Sequence, residues 1–219
     1  VFPLTGYPPT GLPGWQRIYR IMKSHGLNHI RFHSWCPPEA AFAAADLEGI
    51  MIQAEGPQAN VPAGGDAARD AFIEAEFKRI VDNYGNHPSF CTMALGNEYG
   101  GNDELLSRWV GMLIQRDPRH LYTAASNNRQ RPPNRQFTVT KEGRGIPGAD
   151  TMRDLSDVVA SDARPMLGHE IAQWMFFPDF NEIKKWSGVM ALRNFELVRD
   201  DLAKKHLLDL APQFVQVSG

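Results

Sequence analysis

Short apolar runs alternate along the chain with stretches of helical apolar spacing, and this alternation limits the fold more than any other feature. Trp15, Ile18, Tyr19 and Met22 share one helical face, Gly26 offers a stop, and "NHIRF" (28–32) reads as a strand. "PPEAAFAAADLEG" has the proline-rich start and alanine-rich body of a short helix closed by Gly49, and "IMIQA" (50–54) follows as a strand. From Asp66 the pattern predicts a long helix with Phe72, Phe77, Ile80, Val81 and Tyr84 on its packing side, then a strand over 89–95. Leu105, Leu106, Trp109, Met112 and Leu113 mark another helix, with strands at "LYTAA" (121–125) and "FTVT" (137–140) after it. "TMRDLSDVVASD" reads as a short helix, "RPMLGHE" as the last clear strand, and Ala191, Phe195, Val198 and Leu202 as the packing stripe of a final helix.

Strands separated by helices of this length pair in parallel through right-handed crossovers. Either an open doubly wound sheet or an eight-stranded barrel meets that requirement. The open sheet usually carries a glycine-rich phosphate loop after its first strand, and neither GxGxxG nor GxxxxGK[ST] occurs here. The expected fold class is therefore α/β of the (β/α)8 TIM-barrel type, as one domain over residues 1–219. Barrel chemistry sits at the carboxyl ends of the strands, where this chain places Arg31 and His33, Glu55, Asn97 and Glu98, Ser126 and Asn127, and His169 and Glu170.

Charge narrows the partners. The 23 basic and 25 acidic residues leave a net charge of -2 with no long run of either sign, which argues against nucleic acid or an anionic membrane surface. No apolar stretch approaches the ~20 residues of a membrane span, and "VFPLTGYPPTGLPGW" lacks the marks of a signal peptide. The compartment is left open, a periplasmic or secreted setting entering only through the resemblance below. Cys36 and Cys91 are too few for a disulfide framework and read as reduced core thiols. A metal hydrolase is disfavoured as well. His29 and His33 in "HIRFH" would lie ~13 Å apart along a strand, too far to share one ion, and the two-carboxylate chemistry considered next requires no metal or organic cofactor.

Two glutamates at separate strand ends suggest a definite chemistry. Breaking a glycosidic bond needs one carboxylic acid to protonate the departing oxygen and a second carboxylate, ~5 Å away in retaining enzymes, to attack the anomeric carbon. Glu98 and Glu170 project over one mouth if the strands close as expected. Arg31 would keep Glu170 ionised, while Glu98, with fewer cationic neighbours, would hold its proton longer. Asn97 and His33, Glu55, Asn127 and His169 are the candidate sugar-binding groups. Of the aromatic residues Trp35, Trp174, Phe176 and Phe177, Trp174 is the expected stacking partner for a pyranose ring.

"GLNHIRFHSWCPPEAAFAAADLEGIMIQAEGP", "HPSFCTMALGNE" and "PMLGHEIAQW" together resemble the catalytic barrel of glycoside hydrolase family 2, the group of β-galactosidases and β-glucuronidases. The resemblance runs over nearly the whole chain. It implies that Glu98, following Asn97, is the general acid/base, that Glu170 is the nucleophile, and that Arg31 belongs to the same sugar site. Family members precede this barrel with β-sandwich domains and complete it with an eighth strand. Here the first strand survives at most as "VF" and no eighth strand is visible, so the expected barrel is incomplete. Its exposed edges would favour self-association. A non-catalytic reading, an incomplete barrel that binds carbohydrate or serves in an assembly, stands beside the enzyme reading.

Overall fold

The structure is a computed structural model that describes residues 2, 5–58, 61–126, 132–142, 154–171 and 176–218. The chain divides into two compact units, one of residues 9–143 and 152–171, the other of residues 1–8, 144–151 and 172–219.

The first unit follows the predicted alternation. Its helices are α1 (Leu12–Ser24), α2 (Glu39–Glu48), α3 (Ala67–Tyr84), α4 (Asp103–Arg116) and the short α5 (Ser156–Ala160). Its strands are β1 (His29–Arg31), β2 (Met51–Glu55), β3 (Phe90–Ala94), β4 (Leu121–Thr123), β5 (Thr138–Thr140) and β6 (Met166–Gly168). Local chemistry sets the helix ends. Asp66 caps α3 by accepting from the Ala68 and Arg69 N–H groups, and Asn102 caps α4 by accepting from Leu105.

Strands β1 to β4 form a parallel sheet in sequential order, with Ile30 opposite Ile52, Gln53 opposite Thr92 and Met93 opposite Tyr122. Ile52, Ala54, Met93, Ala94 and Tyr122 are fully buried, as strands covered on both faces must be. Trp15 and Tyr19 of α1, Phe42 of α2, Phe77 of α3 and Trp109 of α4 supply the cover. Glu74 accepts the indole N–H of Trp109 at 2.8 Å, which satisfies the one polar atom that this ring brings into the interior.

Two expectations change. Phe72 is 57% exposed, because the buried face of α3 runs through Ile73, Phe77, Ile80 and Val81. Five residues from Phe77, Phe72 points ~140° away around the helix. The second change concerns continuity between neighbouring strands. Among the described residues no closed barrel forms: β5 and β6 pair in parallel as a separate two-stranded sheet. After β4 the Gln136 side chain, rather than a strand carbonyl, accepts the Tyr122 N–H at 3.1 Å, and the Gln136 N–H donates to the Tyr122 carbonyl at 2.8 Å.

In the second unit α6 (Arg193–Lys204) and α7 (Ala211–Ser218) accompany 3-10 turns over Phe180–Lys185, Gly188–Met190 and Leu208–Leu210. Phe177 packs against Phe180 and Phe214 with ring centroids 6.1 and 5.1 Å apart. Of the stripe expected on α6, Leu202 is buried, Phe195 half-buried and Val198 36% exposed.

Candidate active site

Close backbone packing places the site residues at the carboxyl ends of β2 and β3. Gly56 follows Glu55, and a Cβ there would lie 2.2 Å from the Phe77 ring and 2.4 Å from the Leu95 carbonyl oxygen. Gly96 precedes Asn97, and its Cβ would meet the Gln58 carbonyl oxygen at 2.4 Å. Any side chain at either position would push the strand ends apart.

Glu55 lies at the base of the site, with no exposed side-chain surface. It accepts from Arg31 Nη1 at 2.6 Å, from the Ser34 N–H at 2.5 Å and from the Ser126 hydroxyl, which in turn accepts from Gln53 at 2.8 Å. A buried carboxylate requires such compensation. The sequence suggests Glu55 as a sugar ligand; the structure gives it the work of holding Arg31. Arg31 also donates to Asn97 Oδ1 at 3.3 Å, and its Nη2 lies 3.6 Å from Glu170 Oε1.

Glu98 and Glu170 meet around a third residue. Nε2 of His169 lies 3.4 Å from Glu170 Oε2 and 3.9 Å from Glu98 Oε1. The two carboxyl oxygens can therefore be no further apart than those two distances laid end to end. That bound excludes the separation beyond ~10 Å at which the two-carboxylate chemistry would fail, and it admits the ~5 Å of a retaining site. The carboxylates keep partial access to solvent, at 18% for Glu98 and 21% for Glu170.

Backbone strain gathers at the same place. Four described residues other than glycine have left-handed φ, and three of them are Ser34 at 55°, Glu98 at 46° and Glu170 at 51°. Side chains with a Cβ enter this region only against a steric penalty, of order 1–3 kcal/mol each. Here the strained residues are the two candidate catalytic acids and the donor that fixes Glu55.

His169 is fully buried, and neither ring nitrogen has a hydrogen-bond partner among the described groups. Burial pushes its imidazole below the usual histidine range, helped by Arg31 and Lys141 and opposed by Glu170 and Glu98. It is thus uncharged near neutral pH.

Lys141, which the sequence reading passes over, donates from Nζ to Glu98 Oε1 at 3.1 Å. Its ammonium is nearer to Glu98 than Arg31 is to Glu170, so Glu98 too has a cation against it, where the sequence expects the cation on Glu170. Its signal in the sequence is position alone: it is the first residue after "FTVT", at a strand's carboxyl end.

The structure thus brings Arg31, Glu55, Asn97, Glu98, His169 and Glu170 into one network. His33 is exposed, with its Nδ1 3.1 Å from the Ser34 hydroxyl. Asn127 and Trp174 lie outside the described residues. Trp35 packs edge-on against Phe32 at 5.3 Å and is 36% exposed, while Phe176 is 62% exposed. Cys36 and Cys91 are both free thiols, and burial pushes Cys36 up to about 12.

No protein-family model and no curated protein matches the chain in sequence. Solved structures do resemble it. A β-glucuronidase from Parabacteroides merdae superposes with a TM-score of 0.62 at 17% identity, over 73% of this chain and 22% of that one. β-Glucuronidase 3 from Bacteroides uniformis gives 0.54 at 15% identity, over 71% of this chain and 21% of that one. β-Glucuronidase 2 from Bacteroides uniformis, covalently bound to cyclophellitol-6-carboxylate aziridine, gives 0.53 at 18% identity, over 69% of this chain and 21% of that one. The chain thus spans about a fifth of the length of these enzymes and shares with them the fold of that part.

Proposed function

We propose that this chain carries the two catalytic acids of a retaining glycoside hydrolase, in a barrel-derived α/β domain, acting on a β-glucuronide-like or β-galactoside-like bond. The observation that carries the reading is the convergence of Glu98 and Glu170 on one histidine nitrogen, at 3.9 and 3.4 Å. Two carboxyl groups from strand ends distant in sequence have no structural need to share one partly open space. Glycosidic bond cleavage by double displacement requires that arrangement.

In the first step Glu170 attacks the anomeric carbon while Glu98 gives its proton to the departing oxygen, producing a glycosyl ester and a free alcohol. Glu98, now a carboxylate, then takes a proton from water as that water attacks the anomeric carbon. The ester bond breaks, the hemiacetal leaves, and both acids return to their starting states. Arg31, held by Glu55, stabilises Glu170 when it regains charge, and Asn97 is placed to bond a sugar hydroxyl beside the reacting centre. The covalent ligand on the Bacteroides uniformis enzyme supports a covalent step in a protein of similar fold.

Inactivation by 2-fluoro β-glycosides, followed by peptide mapping, tests this directly. The expected adduct is on Glu170, and an adduct on any other residue overturns the assignment. Glu98→Gln should suppress release from aryl glycosides with poor leaving groups. Equal background release by this variant and by the unmodified protein across a panel of aryl glycosides would remove the enzyme reading.

A further inference from the structure

We infer that Lys141 is the positioning residue of Glu98: its ammonium orients the carboxyl group and favours the ionised form, setting the pH above which the acid is spent. The inference rests on the proposed role of Glu98 and adds a residue to it.

The geometry is specific. Lys141 leaves β5 at its carboxyl end, and Nζ reaches Glu98 Oε1 at 3.1 Å with the lysine side chain about one-third exposed, at 34%. The backbone around it is tied down, since the Thr140 carbonyl accepts the His169 N–H at 2.8 Å and the Thr140 hydroxyl accepts the Glu142 N–H at 3.1 Å. One strand end thus fixes the root of Lys141 and the main chain of His169 together.

The charges facing Glu98 come from several elements. His169, after β6, presents Nε2 at 3.9 Å but is kept neutral by its burial. Glu170 lies across that same imidazole and disfavours a second negative charge on Glu98. Arg31 of β1 points to Glu55, Asn97 and Glu170. Among the described residues Lys141 is the lysine or arginine that bonds Glu98 directly, while Glu170 opposes it. A general acid needs its proton in the first step and must lose it in the second, and a partner of each sign keeps both states within reach.

The test reads Glu98 itself. In protein labelled with 13C at the glutamate carboxyl carbons, the Glu98 signal is identified by its loss in Glu98→Gln, and its titration is followed by NMR. An opposite charge at this distance moves a carboxyl by ~1–3 pH units, and exposure of the lysine places the effect near the lower end. Lys141→Met should therefore raise the Glu98 midpoint by roughly one pH unit, and Lys141→Arg should restore it. Lys141→Gln serves the same purpose if the Met variant does not fold. The high-pH limb of kcat/KM for an aryl glycoside with a poor leaving group should move upward with it. An unmoved midpoint in the neutral variants overturns the inference whatever the activity. A moved midpoint in a protein that hydrolyses no glycoside upholds the pairing and overturns the glycosidase reading instead.

Discussion

The two parallel sheets of the first unit contribute to the site in different ways. Strand ends of the four-stranded sheet supply Arg31, Glu55 and Asn97, joined by hydrogen bonds of 2.6 and 3.3 Å and reinforced by Ser34 and Ser126. The two-stranded sheet supplies Lys141, His169 and Glu170, whose ion-pair distances to the rest of the site run from 3.1 to 3.9 Å and whose imidazole makes no hydrogen bond among the described groups. One half holds charge in fixed places. It also supplies Glu98, whose proton must come and go, and the other half brings the charged and titratable groups that face it at 3.1 and 3.9 Å.

The largest expected effect separates the halves by stability. Phe77→Ala removes a fully buried ring beneath Gly56 and should cost about 3–5 kcal/mol in denaturant unfolding. Leu167→Ala, on half-buried β6, should cost less than about 2 kcal/mol by the same measurement. Equal losses would remove the contrast. Glu55→Ala comes next. It leaves the Arg31 guanidinium without its principal partner and should destabilise the protein by about 3 kcal/mol, whereas Glu170→Gln should change stability by less than about 1 kcal/mol while abolishing turnover. Hydrogen exchange offers a finer reading. The Thr138, Val139 and Thr140 amides, in a two-stranded sheet, should exchange through openings of lower free energy than those of Gln53 and Ala54.

The smallest effect lies within the fixed half. His87 bridges Asp46 at 2.6 Å and Glu39 at 3.0 Å. Burial alone would push its imidazole down, but hydrogen bonds and charge from the two carboxylates outweigh this and raise it above the usual 6.5. A raised histidine contributes stability that is fully present below ~6.5 and is lost as pH rises through the folded-state value. The unfolding free energy of the native protein relative to His87→Gln should therefore be larger at pH ~6 than at pH ~8. An equal difference at both values would show that this bridge does not draw on the protonated ring.

Much of the architecture was legible before any coordinates. Apolar runs and helical stripes mark the six strands and the main helices of the described residues, because burial on both faces of a parallel strand and on one face of a helix leaves its period in the residue order. The misreadings are equally physical. Phe72 reads as core by type, yet its angle around α3 turns it to solvent. The break in the sheet after β4 is not legible either, and there a side chain fourteen positions away, that of Gln136, takes the Tyr122 N–H.

By itself the residue order determined which strands form, in what sequence, and that Glu98 and Glu170 stand at strand ends, since these follow from local periodicity and from the parallel crossovers it demands. Only the tertiary structure decided that Glu55 is buried under Arg31, that His169 sits uncharged between the two acids, and that Lys141 bonds Glu98. Those outcomes depend on distances between side chains from different strands and on how much water each retains, and both quantities exist only once the chain is packed.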